Sequence, residues 1–147
     1  MIEYYMKSKK DLIVDAQPVK EKSVIKLIVE GEEGSLWGRV EYEDNLIVDE
    51  ADSIEQLQKQ MRQLLSDFHD LDSKSYEFLI EFDLTAFFIE FDFLKMTKIA
   101  ELSGLNGSLV RQYATGKKHP SAKQAEKIEN AVKQLAQQLS NVHIYAR

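Results

Sequence analysis

Residues 99–116 read IAELSGLNGSLVRQYATG, and the spacing of small, apolar and polar residues there predicts two short helices joined by a tight turn. Ala100 is small where one helix must approach another. Gly104 falls where the turn needs a left-handed conformation, which glycine adopts without a Cβ penalty. Leu105 plugs the turn into a core, and Asn106 is a natural N-cap for the second helix. In that helix Leu109, Val110 and Tyr113 share one side. Ser108, Arg111, Gln112 and Thr115 recur at i, i+3, i+4 and i+7, so they share the opposite, polar side. Arg pairs bidentately with guanine and Gln with adenine, which makes this the pattern of a recognition helix for double-stranded DNA. A merely solvated face is the competing reading for Arg111 and Gln112. Gly116 ends the helix.

The flanking sequence extends this unit in both directions. Lys117, Lys118 and His119 place positive charge beside the polar face, suited to backbone phosphates rather than to base edges. Pro120 and Ser121 open a further helix, with Ser121 and Gln124 in capping-box spacing. Its apolar seam of Ala125, Ile128, Val132, Leu135 and Leu139 either closes the bundle or meets a second subunit. Residues 142–145 read as a short final strand. Upstream, the aromatics of residues 84–93 could continue a strand, but Leu84, Phe87, Phe88 and Phe91 fit helical spacing better, with Asp83 as cap.

The first half has a different period. Residues 24–29 are rich in β-branched side chains and lead into a turn over residues 31–34. Leu36, Gly38, Val40 and Tyr42 then alternate with Trp37, Arg39 and Glu41, the period of two of a half-buried strand. A polar turn at residues 43–45 precedes the short run Leu46, Ile47 and Val48. Ser53 and Gln56 form a capping-box pattern before a helix whose apolar face carries Ile54, Leu57, Met61, Leu64, Leu65 and Phe68. Residues 76–82 return as a fourth strand. The expected class is therefore α+β. A βββαβ domain over residues 23–83 is followed by an all-α helix-turn-helix domain over residues 84–147. Residues 1–22 are read as an N-terminal extension, with a candidate strand at residues 2–6 and a charged loop over residues 11–22.

Charge divides along the same boundary. The 147 residues carry a formal net charge of −6. Residues 1–95 hold 11 Lys and Arg against 22 Asp and Glu, a net of −11, whereas residues 96–147 hold 8 against 3, a net of +5. Such asymmetry suggests a polyanion-binding unit joined to something else. The acidic half would repel DNA but attract a basic protein; a role in solubility alone is the other reading. The chain has no cysteine, which excludes disulfides and thiolate metal sites. No stretch reaches the ~18 apolar residues of a membrane span, and the charged start does not resemble a signal peptide. A cytoplasmic protein with no membrane partner is expected.

Catalysis is not expected. Glu41, Glu43, Asp44, Asp49, Glu50 and Asp52 sit at predicted turns and strand ends, without the convergence from several elements that a two-metal site needs. His69, His119 and His143 are scattered and are assigned to the surface. No phosphate-cradling glycine loop is present, and neither cofactor nor metal is expected. Trp37 is read preferentially as a core residue; if exposed, it would be an anchor for a protein partner, with Arg39 beside it.

The stretch IAELSGLNGSLVRQYATGKKHPSAKQAEKIENAV resembles the Cro/repressor (XRE-like) helix-turn-helix family, in the version carried by HicB-type antitoxins. The βββαβ order, with Gly34, Trp37 and Gly38 around the second strand and Ala51 before the helix, is similar to the partial ribonuclease-H-like domain of that family. The resemblance covers residues 24–140 and is more specific over the C-terminal motif. It implies an autorepressor that binds operator DNA through Asn106, Ser108, Arg111, Gln112, Thr115, Lys117 and Lys118. The N-terminal domain would neutralise a small ribonuclease toxin of the HicA type, and Trp37 and Arg39 are the candidate contacts there. An orphan regulator, or an interaction module without a toxin, is the alternative. Paired recognition helices imply a homodimer or higher oligomer, because one such unit covers little DNA.

Overall fold

In the computed structural model, which describes residues 21–147, two tight reversals organise the first half. Glu33 and Gly34 both take positive φ (51° and 82°), as do Glu43 and Asp44 (47° and 61°). That sign matches a two-residue hairpin to the twist of its strands. The reversals join β1 (Ser23–Glu32), β2 (Ser35–Tyr42) and β3 (Asn45–Ala51) into an antiparallel meander. Two residues suffice for each turn, so Gly31, Glu32 and Asn45 belong to strands rather than to turns. The strand and loop expected within residues 1–20 lie outside the described residues.

After the meander the chain crosses the sheet as helix α1 (Ile54–His69) and returns as β4 (Tyr76–Phe82), parallel to β1. The sheet is thus mixed, in the order β3-β2-β1-β4. Helix α1 starts at Ser53, whose hydroxyl accepts from the Gln56 amide at 3.2 Å. It lies on β2 at Gly38, where a Cβ would stand 2.8 Å from Leu57 Cδ2. Ile54, Leu57, Met61 and Leu65 are buried against the sheet. The expected sixth member of this face, Phe68, is instead 75% exposed. The buried stripe advances in steps of four from Leu57, and the next step is His69, not Phe68. The His69 side chain is only 10% exposed, meets Tyr42 edge-on at 5.1 Å and sits 3.6 Å from Glu43 Oε2. This corrects the surface assignment of that histidine.

Four helices follow: α2 (Leu84–Glu90), α3 (Met96–Ser103), α4 (Gly107–Ala114) and α5 (Ala122–Ser140). The described chain is therefore α+β, with four strands and five helices. Helix α2 touches both parts. Asp83 caps it, and Asp83 Oδ1 accepts from the Ala86 amide at 2.7 Å and from the Gly31 amide of β1 at 3.1 Å. A Cβ at Gly31 would lie 2.6 Å from Ala86 N, so glycine is needed where helix and strand touch. Glu90 reaches back to the Ile54 amide (3.2 Å), and the Thr85 hydroxyl donates to Tyr113 O of α4 (3.1 Å). Ala86 joins the core of the sheet, while Phe88 joins a second core with Ile99, Ala100, Val110, Tyr113 and Ile128.

Two expectations fail near the end of the chain. Residues 142–145 form no strand, because no strand among the described residues lies beside them; the Val142 amide instead returns to Leu139 O at 3.2 Å, closing the end of α5. The α5 seam is also shorter than expected. Ile128 and Ala131 are buried, Val132 and Leu135 are half-buried, and Leu139 is 65% exposed, since α5 outruns the helices beneath it. No helix among the described residues is long and apolar enough to cross a membrane.

Candidate nucleic-acid interface

The turn between α3 and α4 is built as its residues require. Gly104 takes φ 71°, and its amide, with that of Leu105, returns to the carbonyls of the last turn of α3. Leu105 is half-buried against the second core, and Asn106 Oδ1 accepts from the Ser108 amide at 2.8 Å. Val110 and Tyr113 are buried, Leu109 is half-buried, and these three fix the rotation of α4 about its axis. The rotation is secured by a polar link absent from the sequence reading. The Tyr113 hydroxyl donates to Gln124 Oε1, which also accepts from the Ser121 amide at 3.4 Å. The Ser121 hydroxyl in turn accepts from the Gln124 amide at 3.3 Å, completing the capping box of α5. The need of a buried tyrosine for a hydroxyl partner was the available signal.

With the core side fixed, Ser108 and Arg111 project from α4 into solvent and Gln112 is half-exposed. Thr115 differs in role. It is the C-cap, and its hydroxyl donates to Arg111 O (3.1 Å) and Gln112 O (3.3 Å), so it closes the helix rather than reaching outward. Gly116 follows at φ 77° and turns the chain into Lys117, Lys118 and His119, all exposed. The Lys118 amide bonds Gln112 O at 3.2 Å, which holds this basic loop against the end of α4. Among the described residues, Arg111, Lys117 and Lys118 are in no ion pair, whereas Lys98 and Lys133 meet Glu101 and Glu129 on their own helices. A rigid helix end thus carries one guanidinium, one amide side chain, a hydroxyl and two ammonium groups, all free to meet an anionic partner.

The remaining candidates disperse. Trp37 is 38% exposed on the face of the sheet opposite α1, which corrects the preferred core reading. The alternation of β2 already required this, since Leu36, Gly38 and Val40 take the inward positions. Arg39, two residues on, shares that open face and meets Glu30 at 3.2 Å. Asp49 accepts from Gln60 of α1 at 2.8 Å and acts as a tie between helix and sheet. Among the described residues, no three His, Asp or Glu side chains converge as metal ligands. His119 borders a groove between β4 and α5, and His143 is exposed. Comparison of the chain with protein-family models, curated proteins and solved structures finds no match.

Proposed function

We propose that this chain is a cytoplasmic, DNA-binding transcriptional regulator in which α3 and α4 act as a helix-turn-helix and α4 enters the major groove. The observation that carries the reading is the outward face of α4. Ser108, Arg111 and Gln112 stand free beside Lys117 and Lys118, on a helix whose other side is locked by Val110 and Tyr113. Arg111 and Gln112 read base edges. Lys117 and Lys118 hold phosphates, and Asn106 keeps the helix N-terminus in register. Thr115 supports the site from behind by closing the helix. The chain acts as a dimer or higher oligomer, with two copies of α4 reading half-sites about 34 Å apart.

On its resemblance to HicB-type antitoxins, the sheet half is proposed as the docking site for a small basic ribonuclease of the HicA type, and the DNA target as the promoter of the shared operon. Exposure of Trp37 on the open face of an acidic half supports this second site, because an aromatic anchor within a field of opposite charge suits a basic partner. No catalytic step is proposed for this chain.

Titrating the full chain against a duplex from the region upstream of its own reading frame, at two salt concentrations, tests the DNA reading. Tight binding that weakens steeply with salt is expected. Equal, weak binding to that duplex and to unrelated DNA, with or without a co-expressed partner, would overturn it. The second site is tested by co-purification with the product of any short adjacent reading frame encoding a small basic protein. Trp37→Ala is expected to loosen that complex and leave DNA binding unchanged. If no such frame exists, the orphan-regulator reading replaces the antitoxin.

A further inference from the structure

Helix α5 continues beyond the body it packs on. Every residue from 136 to 147 is exposed, and the chain after Asn141 reads Val142, His143, Ile144, Tyr145, Ala146, Arg147. In an extended backbone, Val142, Ile144 and Ala146 fall on one side and His143, Tyr145 and Arg147 on the other. This is the composition of a strand, yet Ile144 is 93% and Tyr145 82% exposed. Consecutive apolar side chains left so bare mark a surface that meets a partner.

A complementary surface exists elsewhere on the same chain. β4 ends the sheet order, with β1 on one side and, among the described residues, no strand on the other. Its free edge borders a groove of ≈ 700 Å³ whose far wall is α5. Three consecutive residues of β4, Ile80, Glu81 and Phe82, line that groove, and Asp83, Leu84 and Thr85 continue its wall into α2. Successive strand residues point to opposite faces, so the groove meets the strand edge-on, along the side where no described strand takes up its amides and carbonyls. Its apolar walls come from Ile80, Phe82, Phe87, Ile128 and Val132.

We propose that residues 142–147 of one copy add as a strand to the β4 edge of a second copy, reciprocally, making a two-fold dimer. The side-chain order fits. The open-face side of β4 carries Glu77, Leu79 and Glu81, a charge–apolar–charge pattern with acidic ends. The segment offers His143, Tyr145 and Arg147, an aromatic between two side chains that can donate to a carboxylate. Setting Tyr145 beside Leu79 brings either His143 or Arg147 opposite Glu81, whichever way the added strand runs. Glu81 meets Lys26 on its β1 side at 3.1 Å and still has half of its side chain exposed to receive this contact. On the other side Val142, Ile144 and Ala146 enter the groove toward Ile128 and Val132. The segment leaves α5 at its exposed end, and a pairing of two such ends also covers Leu139. The proposal is independent of whether α4 reads DNA.

The absence of native cysteine makes the test direct. Full-length chains carrying Leu79→Cys or Tyr145→Cys singly, mixed and oxidised, are expected to form a disulfide-linked heterodimer on non-reducing gels. Both positions are exposed, so neither change threatens folding. In sedimentation the native chain is expected to be a dimer, and Ile144→Asp is expected to raise its dissociation constant by roughly tenfold or more with an unchanged circular-dichroism spectrum. A monomeric native chain, a dimer indifferent to Ile144→Asp, or a disulfide that forms only within the double Leu79→Cys/Tyr145→Cys chain would each overturn the proposal. The last outcome would assign the groove to the chain's own segment.

Discussion

The sheet half and the helical half hold themselves together by different means. The sheet half gathers twelve buried residues into one core, from Ile25 on β1 to Ala86 on α2. The helical half gathers six, from Phe88 to Ile128, and supplements them with polar ties. Asn106 and Ser121 cap α4 and α5, Thr115 closes α4, and Tyr113 and Ser121 share the Gln124 oxygen. A small core can thus still fix the rotation of α4, provided the caps are intact. The outward face depends on this arrangement, because a helix free to roll could not present Arg111 and Gln112 in one direction.

Removing apolar volume from the larger core has the greatest expected effect. Leu57 is fully buried and packs on Gly38, so Leu57→Ala should cost about 2–5 kcal/mol by denaturant unfolding. A loss below about 1 kcal/mol would mean that α1 does not seal the sheet as described. The joint between the halves comes next. Asp83→Ala removes the acceptor of both the Gly31 and Ala86 amides and should cost about 1–2 kcal/mol, with faster hydrogen exchange at both amides. Unchanged exchange at Gly31 would break the link between β1 and α2.

Smaller still is the effect expected in the helical half. Ser121→Ala should cost about 1 kcal/mol and raise exchange in the first turn of α5 while sparing the sheet. Equal loosening of β1 would show that the two cores do not respond separately. Smallest is Tyr76→Phe. Burial pushes the Tyr76 phenol above its ordinary range, and its hydroxyl has no hydrogen-bond partner among the described residues. Removing it should change stability by less than about 0.5 kcal/mol or increase it. A clear loss would reveal a partner for that hydroxyl.

Much of this arrangement is legible in the sequence, for reasons that differ by element. The alternation in β2 reports burial directly, and β4 lies where its run of residues 76–82 begins and ends. Ser53, Asp83, Asn106 and Ser121 are legible as caps because capping is a local matter, settled within three residues. What escapes is set by distant neighbours. Whether Phe68 or His69 continues the α1 stripe depends on where the sheet lies beneath the helix. Leu139 and residues 142–145 have the right composition for burial but stay exposed among the described residues. For the candidate site, the division of α4 into core and solvent sides is readable from its period. The role of Thr115 is not, because its hydroxyl chooses between the helix carbonyls and the solvent only once the helix ends there.

Selection of bound duplexes from a random-sequence pool tests α4 as a reading head most directly. The full chain should enrich a defined motif. Arg111→Ala should still bind but lose preference at one or two positions, with discrimination there falling by about 1–3 kcal/mol, while Lys118→Ala should keep the motif and weaken binding to all sequences alike. No enrichment by the native chain, or the same motif from Arg111→Ala, would contradict the assignment of α4 to the major groove.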